Sequence, residues 1–136
     1  MLKLIIGVKG TGKTKTLINM VNTAVESSHG DVVCIEKGVK LRYDVKYKAR
    51  LINTEEYFID DAQSLYGFVA GILASNHDVT DLFIDSAYKI CNNNAAEFDV
   101  FVEEVNKLVD KVGGINILMT SSIPVEEATD TVKKYL

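Results

Sequence analysis

The sequence predicts an α/β fold in which a mostly parallel sheet of about four core strands is covered by helices on both faces. Short apolar runs of five or six residues alternate with segments whose apolar residues recur at helical spacing. Strands that alternate with helices form a parallel sheet, because each helix carries the chain back across one face. At 136 residues and 47% apolar composition, the chain fits a single domain over residues 1–136.

The first half of this alternation is regular. An apolar strand is predicted at Leu2–Ile6, and a helix begins near Lys13 and ends before Gly30. Residues 31–36 form a second apolar run, which is predicted as a buried strand.

Residues 39–51 alternate strictly between apolar or aromatic and polar, mostly basic, side chains. A period of two predicts a strand or hairpin with one apolar and one basic face. Thirteen residues would extend over about 43 Å, which is too long for one strand here, so we expect a bend near Asp44.

Capping patterns predict where the later helices begin. Asp60 with Gln63 forms a capping-box pattern at the start of one helix, and Asn94 with Glu97 repeats it for the next. Pro124 is predicted to open a last helix, since proline favours the first turn. Two further apolar runs, residues 81–85 and 115–119, are predicted as strands.

The loop after the first strand reads Gly7-Val8-Lys9-Gly10-Thr11-Gly12-Lys13-Thr14 and matches the pattern G-x-x-x-x-G-K-[ST] in full. Its glycines let the backbone turn so that amides point at phosphate oxygens, beside the positive N-terminal end of a helix. Lys13 is expected to bridge β- and γ-phosphate oxygens and to face solvent without ligand, and the Thr14 hydroxyl is expected to bind Mg²⁺. The residues assigned to phosphate binding are Gly7, Lys9, Gly10, Thr11, Gly12, Lys13, Thr14 and Lys15.

An acidic residue ends the run Leu82-Phe83-Ile84-Asp85. In a parallel sheet this carboxylate would emerge at the same edge as the glycine loop, so Asp85 is the second predicted magnesium ligand, and a strand-end cap is the alternative.

The two motifs resemble the Walker A and Walker B motifs of P-loop NTPases. In its brevity the chain is similar to small stand-alone bacterial ATP-binding proteins of recombinase-like type. The resemblance implies ATP with Mg²⁺ as cofactors. It also implies that the strand at 115–119 lies between the two strands that carry the motifs. The sequence lacks the guanine-specificity motif N-K-x-D, which tilts the expected base toward adenine.

The catalytic candidates beyond Lys13 are less specific. Many ATPases place a glutamate directly after the magnesium acid, but this chain has Ser86 there. Glu36, which ends the second strand, is the candidate for activating the attacking water, and a solvated turn residue is the alternative. Thr120 ends the last strand and is the candidate sensor of the γ-phosphate, with helix capping as the alternative.

Residues 37–50 carry six cations and one carboxylate, a net charge of +5. The whole chain is −4, so the remainder is −9. One hypothesis is that this segment meets an acidic protein partner or a second copy, bringing Arg42 or Arg50 toward a neighbour's nucleotide. The alternative is an edge strand protected by its lysines. Nucleic acid is not expected, because the remainder repels it and no aromatic lies on the basic face.

Three functions remain open at this stage. The first is an ATP·Mg²⁺-binding protein with slow hydrolysis, acting as a switch or as the ATPase subunit of an assembly. The second is a small phosphotransferase, and the third is a nucleotide-binding interaction module without turnover. Without a signal peptide or an apolar stretch of about 20 residues, the expected location is the cytoplasm, with no membrane partner.

Overall fold

The computed structural model describes all residues from Met1 to Leu136 and contains one five-stranded sheet in which every neighbouring pair of strands is parallel. The strands are β1 (Leu2–Ile6), β2 (Asp31–Glu36), β3 (Arg50–Asn53), β4 (Val79–Ile84) and β5 (Asn116–Ser121). The helices are α1 (Lys13–Ser27), α2 (Ala62–Ser75), α3 (Ala87–Ile90), α4 (Ala95–Val112) and α5 (Asp130–Lys133). Short 3₁₀ helices lie at Thr54–Tyr57 and Val125–Glu127.

The strand order is β1-β5-β4-β2-β3, so β5 lies between β1 and β4 as predicted. In the β1–β5 pairing Ile6 is opposite Ser121, and in the β4–β5 pairing Ile84 is opposite Met119. The carboxyl ends of β1 and β4 therefore reach the same edge of the sheet, one strand apart. This arrangement brings the glycine loop and Asp85 to one place.

Apolar residues fill both faces of the sheet. The larger core lies under α2 and α4, where Leu65 and Phe98 are fully buried. The smaller core lies under α1 and includes Leu17 and Val21 from that helix. Because successive strand residues point to opposite faces, neighbours such as Val32 and Val33 contribute to different cores.

The predicted alternating strand over residues 39–51 is wrong. Only its end belongs to a strand, β3, which begins at Arg50, and the preceding residues form turns. Burial in this segment recurs every fourth residue, at Leu41, Val45 and Ala49, which join the smaller core under α1. The alternating side chains between them, above all the tyrosines, lie exposed because no neighbouring strand covers that side.

Two helix starts also differ from the prediction. The cap of α2 is Asp61, whose carboxylate accepts a hydrogen bond from the Ser64 amide at 2.8 Å, and the expected Asp60–Gln63 pair is displaced by one residue. Pro124 opens only a 3₁₀ turn, and α5 begins at Asp130. The Asn94 cap of α4 is confirmed by its bond from the Glu97 amide at 3.0 Å.

None of the helices combines the length and apolar character needed to cross a membrane.

Candidate nucleotide-binding site

The glycine loop between β1 and α1 adopts a tight turn that other residues would not allow. Gly7 has φ of 153°, and a Cβ at this position would lie 2.8 Å from Oγ1 of Thr11. Gly12 caps α1 in the left-handed conformation, with φ of 84°. The absence of a side chain at Gly7 therefore leaves room for Thr11, and Gly12 turns the loop into the helix.

No side chain caps the N-terminus of α1. Gly12 provides no side-chain cap, and the first turn contains no acidic residue. The first amides of a helix have no partner inside the helix, and the helix dipole makes this end positive. An anion placed here would satisfy the amides and gain from the dipole.

Lys13 lies at the centre of the loop rather than in solvent. Its side chain is buried, and Nζ donates hydrogen bonds to the Val8 carbonyl at 2.9 Å and to Thr11 Oγ1 at 3.4 Å. The expectation that Lys13 faces solvent without ligand is wrong, because the side chain is buried and the loop supplies acceptors for its ammonium group. The charge is thereby held inside the glycine loop.

Asp85 follows β4 and is brought into contact with Thr14. The Thr14 hydroxyl donates to Oδ1 of Asp85 at 3.1 Å, and the Thr120 hydroxyl donates to the same oxygen at 2.8 Å. Carboxylate and hydroxyl oxygens are hard donors of the kind that Mg²⁺ prefers, and Mg²⁺ completes its shell with water and phosphate oxygens. The two predicted magnesium ligands are thus adjacent, and their chemistry fits that ion.

The residue after Asp85 has an unusual backbone. Ser86 adopts φ of 58° and ψ of 45°, the left-handed region that a non-glycine residue rarely occupies. Its amide donates to Thr120 Oγ1 at 2.8 Å. The turn lets the short helix α3 begin immediately, and the Tyr88 amide donates to Ser121 Oγ at 3.2 Å. Hydroxyls at the end of β5 therefore fix the chain that follows the magnesium acid.

A polar groove of about 400 Å³ surrounds these residues, and no apolar side chain lines it. Five lysines and a single carboxylate, that of Asp85, line this groove. Its lining residues are Lys9, Gly10, Gly12, Lys13, Thr14, Lys15, Lys40, Asp85, Ser86, Lys89, Asn93, Thr120 and Ser122.

Five of these were assigned no phosphate-binding, metal-binding or catalytic role from the sequence: Lys40, Ser86, Lys89, Asn93 and Ser122. Lys40 belongs to the segment predicted as a strand, and Lys89 lies on α3, which was not predicted. Asn93 follows α3 with φ of 53°. The asparagine run at residues 92–94 was a visible turn signal, but nothing local to it indicated the groove.

Glu36 is placed differently from the groove-lining residues. Its side chain is buried, and Oε1 accepts hydrogen bonds from the Lys40 amide at 3.0 Å and the Leu41 amide at 3.3 Å. Burial raises the pKa of Glu36 above its ordinary value; the two amide bonds oppose this shift and the nearby Asp85 charge adds to it. The carboxylate therefore anchors the loop after β2, and it does not line the groove.

Neither arginine lines the nucleotide groove. Arg42 and Arg50 border a separate, smaller groove together with Glu36 and Tyr57. The structure thus does not bring an arginine to the phosphate site of its own chain, and a contribution across a subunit contact stays a prediction.

Solved structures of two proteins have the same fold. The KaiC-like protein PH0186 from the hyperthermophilic archaeon Pyrococcus horikoshii OT3 matches with a TM-score of 0.70 and 15% identity, over 98% of this chain and 66% of that one. The pCW3 conjugation coupling protein TcpA, in its monomer form with ATPγS, matches with a TM-score of 0.59 and 14% identity, over 98% of this chain and 46% of that one.

This chain thus spans about two thirds of the first protein and less than half of the second. At these identities the likeness establishes the fold, which is that of P-loop NTPases. No protein-family model matches the sequence, and no curated protein matches it.

Proposed function

We propose that this protein binds ATP with Mg²⁺ in the polar groove and hydrolyses it slowly, as a switch or as the ATPase subunit of an assembly. The observation that carries the proposal is the contact between Thr14 and Asp85 at 3.1 Å, beside a helix N-terminus with no side-chain cap and the inward-held Lys13. Residues from β1, α1, β4 and β5 converge there although they are far apart in sequence.

The charge of the groove supports a polyphosphate ligand. Five lysines face one carboxylate, and burial of Lys13 reduces the solvent screening of its charge. Lys9, Lys13 and Lys15 would hold the phosphates together with the loop amides of Gly10 and Gly12. Bound Mg²⁺ would neutralise charge on the phosphates, with Thr14 and Asp85 as its protein ligands.

Slow turnover follows from the lack of a free base. Asp85 is the single carboxylate that lines the groove, and it is engaged by the hydroxyls of Thr14 and Thr120. Ser86 stands where many ATPases have a glutamate, and Glu36 is bonded to backbone amides. A water molecule in the groove would be activated only weakly, since general-base catalysis contributes about 10²–10⁴-fold to a rate. We retain Glu36 as the candidate base and Thr120 as the candidate γ-phosphate sensor.

A phosphotransferase is the second candidate, and the extent of the groove favours it. Lys40, Lys89 and Asn93 widen the polar space beyond the glycine loop. An acceptor with its own negative charge could bind between the two lysines and replace water as the attacking group. The third possibility, a binding module without turnover, is the limiting case of slow hydrolysis.

Titration calorimetry with the parent and a Lys13→Ala variant tests the proposal. The parent should bind Mg·ATP, and the variant should lose at least about 100-fold in affinity, because a buried charge-assisted contact to phosphate is removed. Lys107→Ala, an exposed lysine of α4, is the matched control and should bind like the parent. Circular dichroism should show both variants folded. Equal affinity of the parent and Lys13→Ala would contradict the assignment of the groove.

Phosphate release, measured with and without candidate acceptors, then separates the three functions. Slow release without acceptor supports the ATPase, acceptor-dependent transfer supports the phosphotransferase, and binding without either supports the module. Replacing ATP with GTP tests the expected preference for adenine.

A further inference from the structure

The basic segment, residues 37–50, contains two consecutive β-turns, over residues 41–44 and 46–49. In the first, the Asp44 amide donates to the Leu41 carbonyl at 3.0 Å; in the second, the Ala49 amide donates to the Lys46 carbonyl at 3.0 Å. The two central positions of each turn hold one tyrosine and one cation. These pairs are Arg42 with Tyr43 and Tyr47 with Lys48.

The turns are held in place from below. Leu41, Val45 and Ala49 are buried against α1, and Asn22 of that helix brackets the segment. The Asn22 side chain donates to the Asp44 carbonyl at 2.9 Å and accepts from the Lys46 amide at 2.9 Å. Since its anchors lie on α1 and the sheet, the segment presents its outer side chains on a fixed support.

Tyr43 and Tyr47 are the two most exposed tyrosines of the chain. Tyr43 is 85% exposed and Tyr47 is 92% exposed, so neither ring contributes to a core. The Arg42 guanidinium lies 4.9 Å from the centre of the Tyr43 ring. A cation stacked on an open aromatic ring offers both charge and a π-face to an incoming group.

The charge around the rings is positive. Lys46 forms an ion pair with Glu26 on α1, whereas Arg42 and Lys48 form no salt bridge. Exposed surface pairs of this kind contribute little to stability, so a phosphate can compete for Lys46 as well. Two carboxylates lie close by, because Asp44 ends the first turn and Glu26 is the partner of Lys46. Charges farther away than a Debye length of about 8–10 Å act weakly, because they are screened.

We propose that the basic segment binds single-stranded nucleic acid, with bases stacked on Tyr43 and Tyr47 and phosphates held by Arg42 and Lys48. Single strands expose the faces of their bases, which stack on aromatic side chains irrespective of sequence, whereas a duplex hides those faces. An acidic protein surface would pair with the cations but would leave the paired arrangement of rings and cations unexplained. Nucleic-acid binding was not predicted from the sequence, because a strand would have no aromatic side chain on its basic face. In the turns, both tyrosines lie beside the cations.

Fluorescence anisotropy with labelled oligonucleotides tests the proposal in the absence of ATP, so that it does not depend on the nucleotide groove. A single-stranded DNA of about 20 nucleotides exceeds the ~4–16 nucleotide site of one binding module. It should bind more tightly than a duplex of equal length, and binding should weaken between about 50 and 200 mM salt.

Substitution of Tyr43 and Tyr47 is the decisive part of the experiment. Tyr43→Ala and Tyr47→Ala should each weaken single-strand binding by at least about fivefold, the effect of losing one stacked base. Tyr43→Phe and Tyr47→Phe keep the ring and should bind like the parent. Photo-cross-linking with a bromouracil-substituted strand should label Tyr43 or Tyr47, which gives a readout independent of affinity.

The cations have their own matched control. Arg42→Glu with Lys48→Glu should abolish binding, whereas Lys107→Glu with Lys111→Glu, the same charge change on α4, should leave it intact. The proposal is overturned if the alanine variants bind like the parent, or if the duplex binds at least as tightly. It is also overturned if the parent binds no strand but sediments as a salt-sensitive dimer, which would assign the segment to a second copy.

Discussion

The Thr120 hydroxyl donates a hydrogen bond to Oδ1 of Asp85 at 2.8 Å and accepts one from the Ser86 amide at 2.8 Å. Thr120 is fully buried on β5, and Asp85 follows the neighbouring strand β4. One side chain therefore orients the Asp85 carboxylate and also supports the left-handed turn that follows it.

Thr120→Val should weaken magnesium-dependent ATP binding by about 10-fold or more, the range found when a side chain that orients a metal ligand is lost. Valine keeps the volume but neither donates to Asp85 nor accepts from Ser86. Thr120→Ser retains both bonds and is the matched control. Calorimetry with and without Mg²⁺ measures the effect, and a loss of equal size in the two conditions would contradict a role through the ion.

Asp85→Asn should weaken Mg·ATP binding while leaving magnesium-free ATP binding much less affected, because the carboxylate acts through the ion. Asp81→Asn, which changes the third residue of β4, is the control and should bind normally. If Asp85→Asn lost equal affinity with and without magnesium, the residue would serve only to end the strand.

Glu36→Gln should lower basal hydrolysis by about tenfold or more without changing ATP affinity, as expected for a group that acts on the attacking water. Glutamine retains an oxygen that can accept from the Lys40 and Leu41 amides, so the loop should stay in place. Single-turnover phosphate release checks this. An unchanged rate would leave Glu36 with the anchoring role alone.

The Glu36→Gln variant also tests whether the pKa of the buried Glu36 carboxyl is raised. Because the pKa of Glu36 is raised in the fold, the folded chain holds this proton more tightly than the unfolded chain. Its ionisation therefore costs stability as pH rises above the ordinary glutamate pKa and through the raised one. The melting temperature of Glu36→Gln relative to the parent should increase between about pH 4 and pH 7. A constant difference would show that the carboxyl titrates normally.

Asn22→Ala should destabilise the protein by about 1–3 kcal/mol, since two hydrogen bonds to the basic segment are lost at about 0.5–1.5 kcal/mol each. Asn19→Ala removes an exposed asparagine of the same helix and should change stability little. Urea unfolding measures both. Equal stability of the two variants would mean that the apolar residues alone hold the turns.

The sequence predicted the parts of the site that are local in the chain. The glycine loop at residues 7–14 carries its conformational requirements in its own residues, and the run ending at Asp85 shows a buried strand with a polar end. The place of β5 between β1 and β4 was also predicted, but from the resemblance of the two motifs and not from their spacing.

The basic segment shows what such patterns do not determine. Alternation predicts a strand only where a neighbouring strand pairs with it, and β3 begins to pair with β2 at Arg50. The residues before it meet α1 instead, so that burial follows a spacing of four and the tyrosines become exposed.

By itself, then, the sequence determined the fold class, the glycine loop and the position of Asp85 after a buried strand, because each depends on a short run of neighbouring residues. Only the tertiary structure decided that Lys13 is held inward, that Lys40 and Lys89 line the same groove, and that Glu36 anchors a loop. These placements depend on which surfaces pack together across the sheet. Contacts between residues far apart in the chain leave no periodic signal in any single segment.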